Sequence, residues 1–123
     1  MRREEHANLA RALLEASDRN FASGDRVQGS EELWGAATHA VMAVVTQLKW
    51  EWELEEILKE AVIKLVGQTG EPFLEVGVDA AVKFHQNFYD DEMKDYEIKV
   101  ECPKVHRFVN MALPMMKATG SKA

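Results

Sequence analysis

The least polar part of the sequence is Glu31-Glu-Leu-Trp-Gly-Ala-Ala-Thr-His-Ala-Val-Met-Ala-Val-Val-Thr-Gln-Leu48. Its apolar residues occupy most of the circumference of a helix, and its alanines permit the close approach of a second helix. A helix that is apolar nearly all round lies at the centre of a bundle or faces a second subunit. We therefore expect residues 31–48 to form a central helix, with a candidate homodimer interface at Trp34, Ala37, Val41 and Val44.

Amphipathic patterns flank this segment on both sides. Apolar side chains recur at i, i+3 and i+4, which predicts further helices over residues 4–22, 53–68, 72–89 and about 103–117. The central helix is expected to begin near Gln28 to Ser30, with Ser30 as its cap. Five helices with mostly short connections predict an all-α fold, an antiparallel up-and-down bundle.

Residues 90–102 break the helical pattern, and residues 95–102 are the part that could be a strand or an extended connector. Tyr96, Ile98, Val100 and Cys102 alternate with charged residues, which is the periodicity of a strand. One short strand has no evident partner in an otherwise helical chain. We therefore interpret the segment as an extended connector packed against the bundle, with edge pairing to another subunit as the alternative. Pro103 would then open the last helix.

Length and charge set the broad class of protein. The chain has 123 residues and a formal net charge of −6, which fits one domain over 1–123 with a flexible tail at 118–123. A lone cysteine and short apolar runs predict a cytoplasmic protein without an intrachain disulfide or a membrane partner. Residues 51–60 and 90–101 each carry a net charge of −4, so nucleic acid is not expected to bind through these acidic regions.

The most function-like stretch is His85-Gln-Asn-Phe-Tyr-Asp-Asp-Glu-Met-Lys-Asp-Tyr96. It gathers an imidazole, an amide, two phenols and several carboxylates where a helix ends, and such positions often carry binding groups. The candidate ligand-binding residues are His85, Asn87, Tyr89, Asp90 and Asp91. The alternative is a solvated acidic connector that binds nothing.

No metal or cofactor is expected from the sequence. The four histidines fall on four predicted helices, none follows a glutamate by three residues, and neither Cys-x-x-Cys nor His-Glu-x-x-His is present. Cys102 and His106 are not interpreted as a nucleophile pair, because Pro103 between them marks a helix start. Phosphate-binding and nucleophile-elbow motifs are also absent.

Two segments carry a family resemblance. They are Gly29-Ser-Glu-Glu-Leu-Trp-Gly-Ala-Ala-Thr-His-Ala-Val-Met-Ala-Val-Val45, which is rich in small residues, and His85-Gln-Asn-Phe-Tyr-Asp-Asp91 at the end of a later helix. On these segments the chain, from Glu4 to Lys117, resembles the HEPN superfamily of small helical bundles. The resemblance implies an up-and-down bundle that dimerises through central helices and serves nucleotide- or RNA-linked systems.

The resemblance has one clear departure. Active HEPN ribonucleases carry an arginine, four to six residues and then a histidine near the end of a late helix, and this sequence has no such pair. What is implied is a non-catalytic, homodimeric bundle that binds a nucleotide or a partner protein. Two alternatives stay open, namely a small enzyme that uses the cluster from His85 to Asp95, and a regulatory or structural subunit that pairs with a basic partner.

Overall fold

The computed structural model describes residues 1–45 and 54–116. Within these ranges the chain forms five helices: α1 (Arg3–Ala22), α2 (Arg26–Val44), α3 (Leu54–Thr69), α4 (Phe73–Asp90) and α5 (Asp95–Ala112). No strand occurs among the described residues, so the predicted all-α bundle is confirmed. Gly24 and Gly70 follow α1 and α3 with φ angles of 89° and 72°, a conformation that ends helices and favours glycine.

α2 lies at the centre of the bundle. It packs against all four of the other helices, and its fully buried residues include Leu33, Ala36, Ala40 and Ala43. The four residues expected at a homodimer interface are also buried. They are Trp34, Ala37, Val41 and Val44, and the chain's own helices cover them. The central position is therefore confirmed, and a homodimer would need a surface other than these side chains.

Arg3 joins the start of α1 to the end of α2. Its Nε donates to the carbonyl of Ala43 at 2.7 Å, and its Nη2 donates to the carbonyl of Val44 at 2.8 Å. The last carbonyls of a helix have no partner within the helix and carry the negative end of its dipole, so a guanidinium is favourable there.

α2 begins earlier than the sequence predicts. Its N-cap is Asp25, whose Oδ1 accepts from the N–H of Gln28 at 3.1 Å. Ser30 is buried inside the helix, where its hydroxyl donates to the carbonyl of Arg26 at 2.6 Å. The expected Ser30 cap is therefore wrong. Aspartate and serine cap equally well, and the apolar pattern, which starts only at Leu33, did not distinguish them.

The extended connector predicted for residues 95–102 is also wrong. α5 runs through these residues from Asp95 to Ala112, and Glu97 Oε1 accepts from the N–H of Lys94 at its start, at 2.9 Å. Its buried side forms a helical stripe of Ile98, Val105, Phe108, Val109 and Ala112. Tyr96 and Val100 completed the apparent alternation, but both side chains are exposed on the helix.

Pro103 lies inside α5 instead of opening a helix. Proline has no N–H to donate, so the carbonyl of Lys99 loses its helical partner. Both residues are exposed, and solvent can reach that carbonyl, which lowers the cost of the interruption. α5 then ends at Ala112, with Leu113 as its C-cap, before the predicted end near residue 117.

Two further expectations concern the C-terminal tail and the crossing of a membrane. The predicted tail at 118–123 lies outside the described residues. Among the described helices, none combines the length and the apolar character that crossing a membrane requires.

Candidate functional site

The predicted stretch at the end of α4 lies against α2. Three contacts, which follow one another along the two helices, join them: Trp34 with His85, Ser30 with Asn87, and Arg26 with Asp91. The α2 numbers fall as the α4 numbers rise, so the two helices are antiparallel here. This pairing places the start of α2 beside the end of α4.

Four rings form a continuous series that we call the aromatic row: Trp34, His85, Tyr89 and Phe88. The His85 imidazole stacks on the Trp34 indole, with ring centroids 4.4 Å apart. Tyr89 meets the His85 ring edge-on at 5.4 Å, and Phe88 meets Tyr89 at 5.0 Å. Trp34 is buried whereas Tyr89 is 75 % exposed, so the row leads from the core to solvent.

Asn87 faces the interior and is 1 % exposed. Its Nδ2 donates to Ser30 Oγ at 3.0 Å, and its Oδ1 accepts from the N–H of Met93 at 2.7 Å. One amide therefore ties α2, α4 and the segment after α4 together. In this position Asn87 holds the site in place and does not face a ligand at the surface.

Residues 90–95 form what we call the acidic connector, with carboxylates at Asp90, Asp91, Glu92 and Asp95. Arg26 pairs with two of them, Nε with Asp91 Oδ1 at 3.4 Å and Nη1 with Asp95 Oδ1 at 3.3 Å. Asp90 Oδ1 accepts from the N–H of Glu92 at 3.1 Å. Arg26 and Lys94 offset only two of the four negative charges, so the connector stays net negative.

Comparison with known proteins identifies the family of the chain. The model of the archaeal PaREP1/PaREP8 family matches residues 5–109. The chain belongs to this family. Its bundle is similar to the crystal structure of a protein from Sulfolobus solfataricus, with 21 % identity, a TM-score of 0.75, and coverage of 88 % of this chain and 96 % of that chain. At this identity the similarity shows the fold alone. No curated protein matches the chain.

In this PaREP1/PaREP8 member, the five predicted site residues have separate surroundings. His85 and Tyr89 lie in the aromatic row, Asp90 and Asp91 begin the acidic connector, and Asn87 points inward. The sequence did not reveal the ion pairs of Arg26 with this stretch or the stacking of Trp34 on His85. Both partners are more than fifty residues away along the chain, and no local pattern reports such contacts.

A second histidine contact joins α1 to α2 in the same bundle. His6 Nδ1 and His39 Nδ1 are 2.8 Å apart, and the two rings stack with centroids 5.1 Å apart. Only one hydrogen fits between the two nitrogens, so one imidazole donates and the other accepts. Burial lowers the pKa of both side chains, and for His39 a charge on His6 lowers the pKa further.

This pair predicts that the protein loses stability as the medium becomes acidic. The histidine pKa values are lower in the folded chain than the ordinary 6.5, so the unfolded chain binds more protons near that pH. The pair's contribution to the free energy of unfolding is present above about pH 6.5 and is lost as the pH falls through the folded-state pKa values.

Urea unfolding at about pH 7.5 and pH 5.5, on either side of the ordinary histidine pKa, measures the effect. A His6→Gln/His39→Gln double variant should show a smaller difference between the two conditions than the wild type. Gln86→Ala, which changes an exposed and uncharged side chain outside the pair, should keep the wild-type difference. Full pH dependence in the double variant would contradict the assignment.

Proposed function

We propose that the chain is a non-catalytic helical bundle of the HEPN kind, which binds a partner protein by accepting a basic side chain at Tyr89. The observation that carries this proposal is an exposed ring beside an excess of carboxylates. Tyr89 is 75 % exposed, and the acidic connector begins at the next residue.

A basic side chain fits these surroundings for two reasons. A lysine or arginine over a tyrosine ring gains about 0.5–2 kcal/mol from the ring's electron-rich face. The net negative connector adds an attraction that steers a positively charged surface toward the ring. The rest of the row supports Tyr89 from behind, since His85 stacks on the buried Trp34.

The surroundings of His85 favour binding over catalysis. Acid–base catalysis requires proton donors and acceptors within hydrogen-bond reach of the reacting groups. The His85 ring contacts the rings of Trp34 and Tyr89. The carboxylates of Asp91 and Asp95 bond to Arg26, and that of Asp90 bonds to a backbone N–H group. The small-enzyme alternative therefore receives less support than a binding role.

Nucleotide binding is the second candidate, and the exposed end of the aromatic row favours it. A base can stack on a tyrosine, as bases do on aromatic side chains in single-strand-binding proteins. The phosphates of that nucleotide would then lie near the acidic connector, where like charges repel them. This repulsion is the reason that we rank the partner protein first.

A second copy of the chain is a poorer occupant of this surface than a basic partner. A two-fold contact would place the acidic connector against its own copy, and like charges would oppose each other. The partner at Tyr89 is therefore a different protein. A homodimer would form through another surface, and sedimentation at several protein concentrations measures whether it forms.

A fluorescent peptide of alternating arginine and glycine tests the basic-partner proposal. We expect the wild type to bind it, with an affinity that falls as salt is added. Tyr89→Ala should weaken binding by about 2- to 30-fold, the range that cation–π energies imply, and Tyr89→Phe, which keeps the ring, should restore it. Glu75→Gln removes an exposed carboxylate in the first turn of α4 and should have little effect.

Anisotropy titrations with the peptide and with ATP separate the two candidates. Equal peptide binding by the wild type and Tyr89→Ala contradicts the basic-partner proposal. ATP binding that exceeds peptide binding and is lost in Tyr89→Ala would support the nucleotide candidate instead.

A further inference from the structure

A group of three chemically reactive side chains lies between α1 and α5. They are Asp18 of α1 and Cys102 and His106 of α5. One ligand atom from each residue lies within 4.8 Å of the other two, and His106 Nε2 is 2.9 Å from Asp18 Oδ1. Cys102 and His106 reach the same place because α5 is continuous, which puts residues i and i+4 on one face.

We propose that Asp18, Cys102 and His106 bind a divalent metal ion of the zinc class. Zinc accepts each of these donors: a cysteine sulfur, an imidazole nitrogen and a carboxylate oxygen. The sulfur disfavours magnesium and calcium, which prefer all-oxygen sites. The aromatic row lies on α2 and α4, so this site is independent of the proposed partner-binding surface.

The distances suit a site that closes around an ion. Tetrahedral zinc with ordinary bond lengths holds its ligand atoms about 3.3–3.6 Å apart. The three atoms are already within 4.8 Å of one another, so small side-chain rotations bring them into place. His106 and Asp18 need the least change, because their 2.9 Å contact has only to open slightly to admit the ion.

The burial of the three residues indicates an open coordination site. Cys102 is half-buried, while the side chains of His106 and Asp18 are 28 % and 57 % exposed. Three protein ligands leave the fourth zinc position to water or another exchangeable ligand. The bound ion would also connect α1 to α5, and it would stabilise the fold because the unfolded chain does not hold the ligands together.

Binding requires the loss of the thiol proton and an unprotonated Nε2 on His106. Without an ion, this nitrogen donates its N–H to Asp18 Oδ1, because a carboxylate only accepts. On binding, the imidazole therefore changes tautomer and carries its proton on Nδ1. Burial, together with the negative charge of Asp18, raises the pKa of Cys102 to about 11, so the free thiol stays protonated at neutral pH. As the sulfur–metal bond forms, the S–H bond breaks and the proton passes to solvent. The positive ion simultaneously offsets the charge of Asp18.

Titration of the tag-free, reduced protein with Co²⁺ alone tests the site, because tetrahedral Co²⁺ absorbs in the visible and Co²⁺–thiolate bonds absorb in the near ultraviolet. We expect one Co²⁺ per chain, with both absorptions, and displacement of Co²⁺ by Zn²⁺. Cys102→Ser should abolish the near-ultraviolet band, and Asp18→Asn and His106→Gln should each weaken binding at least about tenfold.

Two control variants and a measurement of thermal stability complete the test. Asp90→Asn and His85→Gln change a carboxylate and an imidazole outside the cluster, and both should bind Co²⁺ as the wild type does. Zn²⁺ should raise the thermal midpoint of the wild type and not that of Cys102→Ser. If His106→Gln does not fold, the exposed Asp18→Asn variant still provides the comparison. No Co²⁺ uptake at micromolar concentrations, or equally tight binding by Cys102→Ser, would overturn the proposal.

Discussion

Replacing Gly77 with alanine should lower the free energy of unfolding by about 1–3 kcal/mol, the usual cost of overpacking a core. Gly77 lies in the second turn of α4 and is buried against Phe108 of α5. A Cβ atom at this position would come within 2.4 Å of Phe108 Cβ and 2.7 Å of Phe108 ring atoms. Phe108 is fully buried and its Cβ is fixed to the α5 backbone, so the two helices would have to move apart.

Gly67→Ala is the matched control for this prediction. Gly67 lies in α3, is exposed, and has no atom within 4 Å of the position that a Cβ would occupy. Alanine is favoured over glycine inside a helix by roughly 0.5–1 kcal/mol, so this variant should be slightly more stable than the wild type. Urea unfolding measures both changes. Similar stabilities for the two variants would show that the α4–α5 contact at Gly77 tolerates a methyl group.

The first four helices could be predicted from the sequence, because α1, α3 and α4 carry amphipathic patterns and α2 is a long segment that is apolar nearly all round. These patterns could not show why particular residues occupy particular positions in the helices. Val76-Gly-Val78 is compatible with a strand as well as a helix, and the role of Gly77 depends on Phe108, which lies on a different helix. The same limit applies to Ser30, whose buried hydroxyl is explained by Asn87 of α4.

The error at residues 95–102 had a consequence for the candidate sites. Alternation of Tyr96, Ile98, Val100 and Cys102 is equally consistent with a helix that exposes the first and third of them. By assigning Cys102 to an extended segment and His106 to a helix, the strand interpretation hid their i, i+4 relation. The wrong element therefore concealed the cluster that Cys102 and His106 form with Asp18.

The apolar circumference of α2 could not show whether the chain's own helices or a second subunit bury this helix. A helix buried by four neighbours and a helix buried by a second subunit have the same composition. The structure shows coverage by the chain's own helices. The stretch from His85 to Asp95 stays a candidate site, and its arrangement depends on Arg26 and Trp34, which no local pattern associates with it.

Replacing Asn87 with alanine should lower the free energy of unfolding by about 2–4 kcal/mol, since one buried and one partly buried hydrogen bond are lost and a small cavity is left. The bonds to Ser30 Oγ and to the N–H of Met93 join the central helix to the middle of the acidic connector. We therefore also expect weaker peptide binding at Tyr89, because the loss of Asn87 releases the segment that carries the carboxylates. Asn87 acts here as a positioning residue.

The local effect can be separated from general destabilisation by hydrogen exchange. In Asn87→Ala the amide of Met93 should exchange faster even where the core amides of α2 remain protected. Gln86→Ala alters an exposed neighbour on the same helix and should change neither the stability nor the Met93 exchange appreciably. If the Met93 amide is protected equally in the wild type and Asn87→Ala, Asn87 does not hold the connector. The stability loss would then come from packing between α2 and α4 alone.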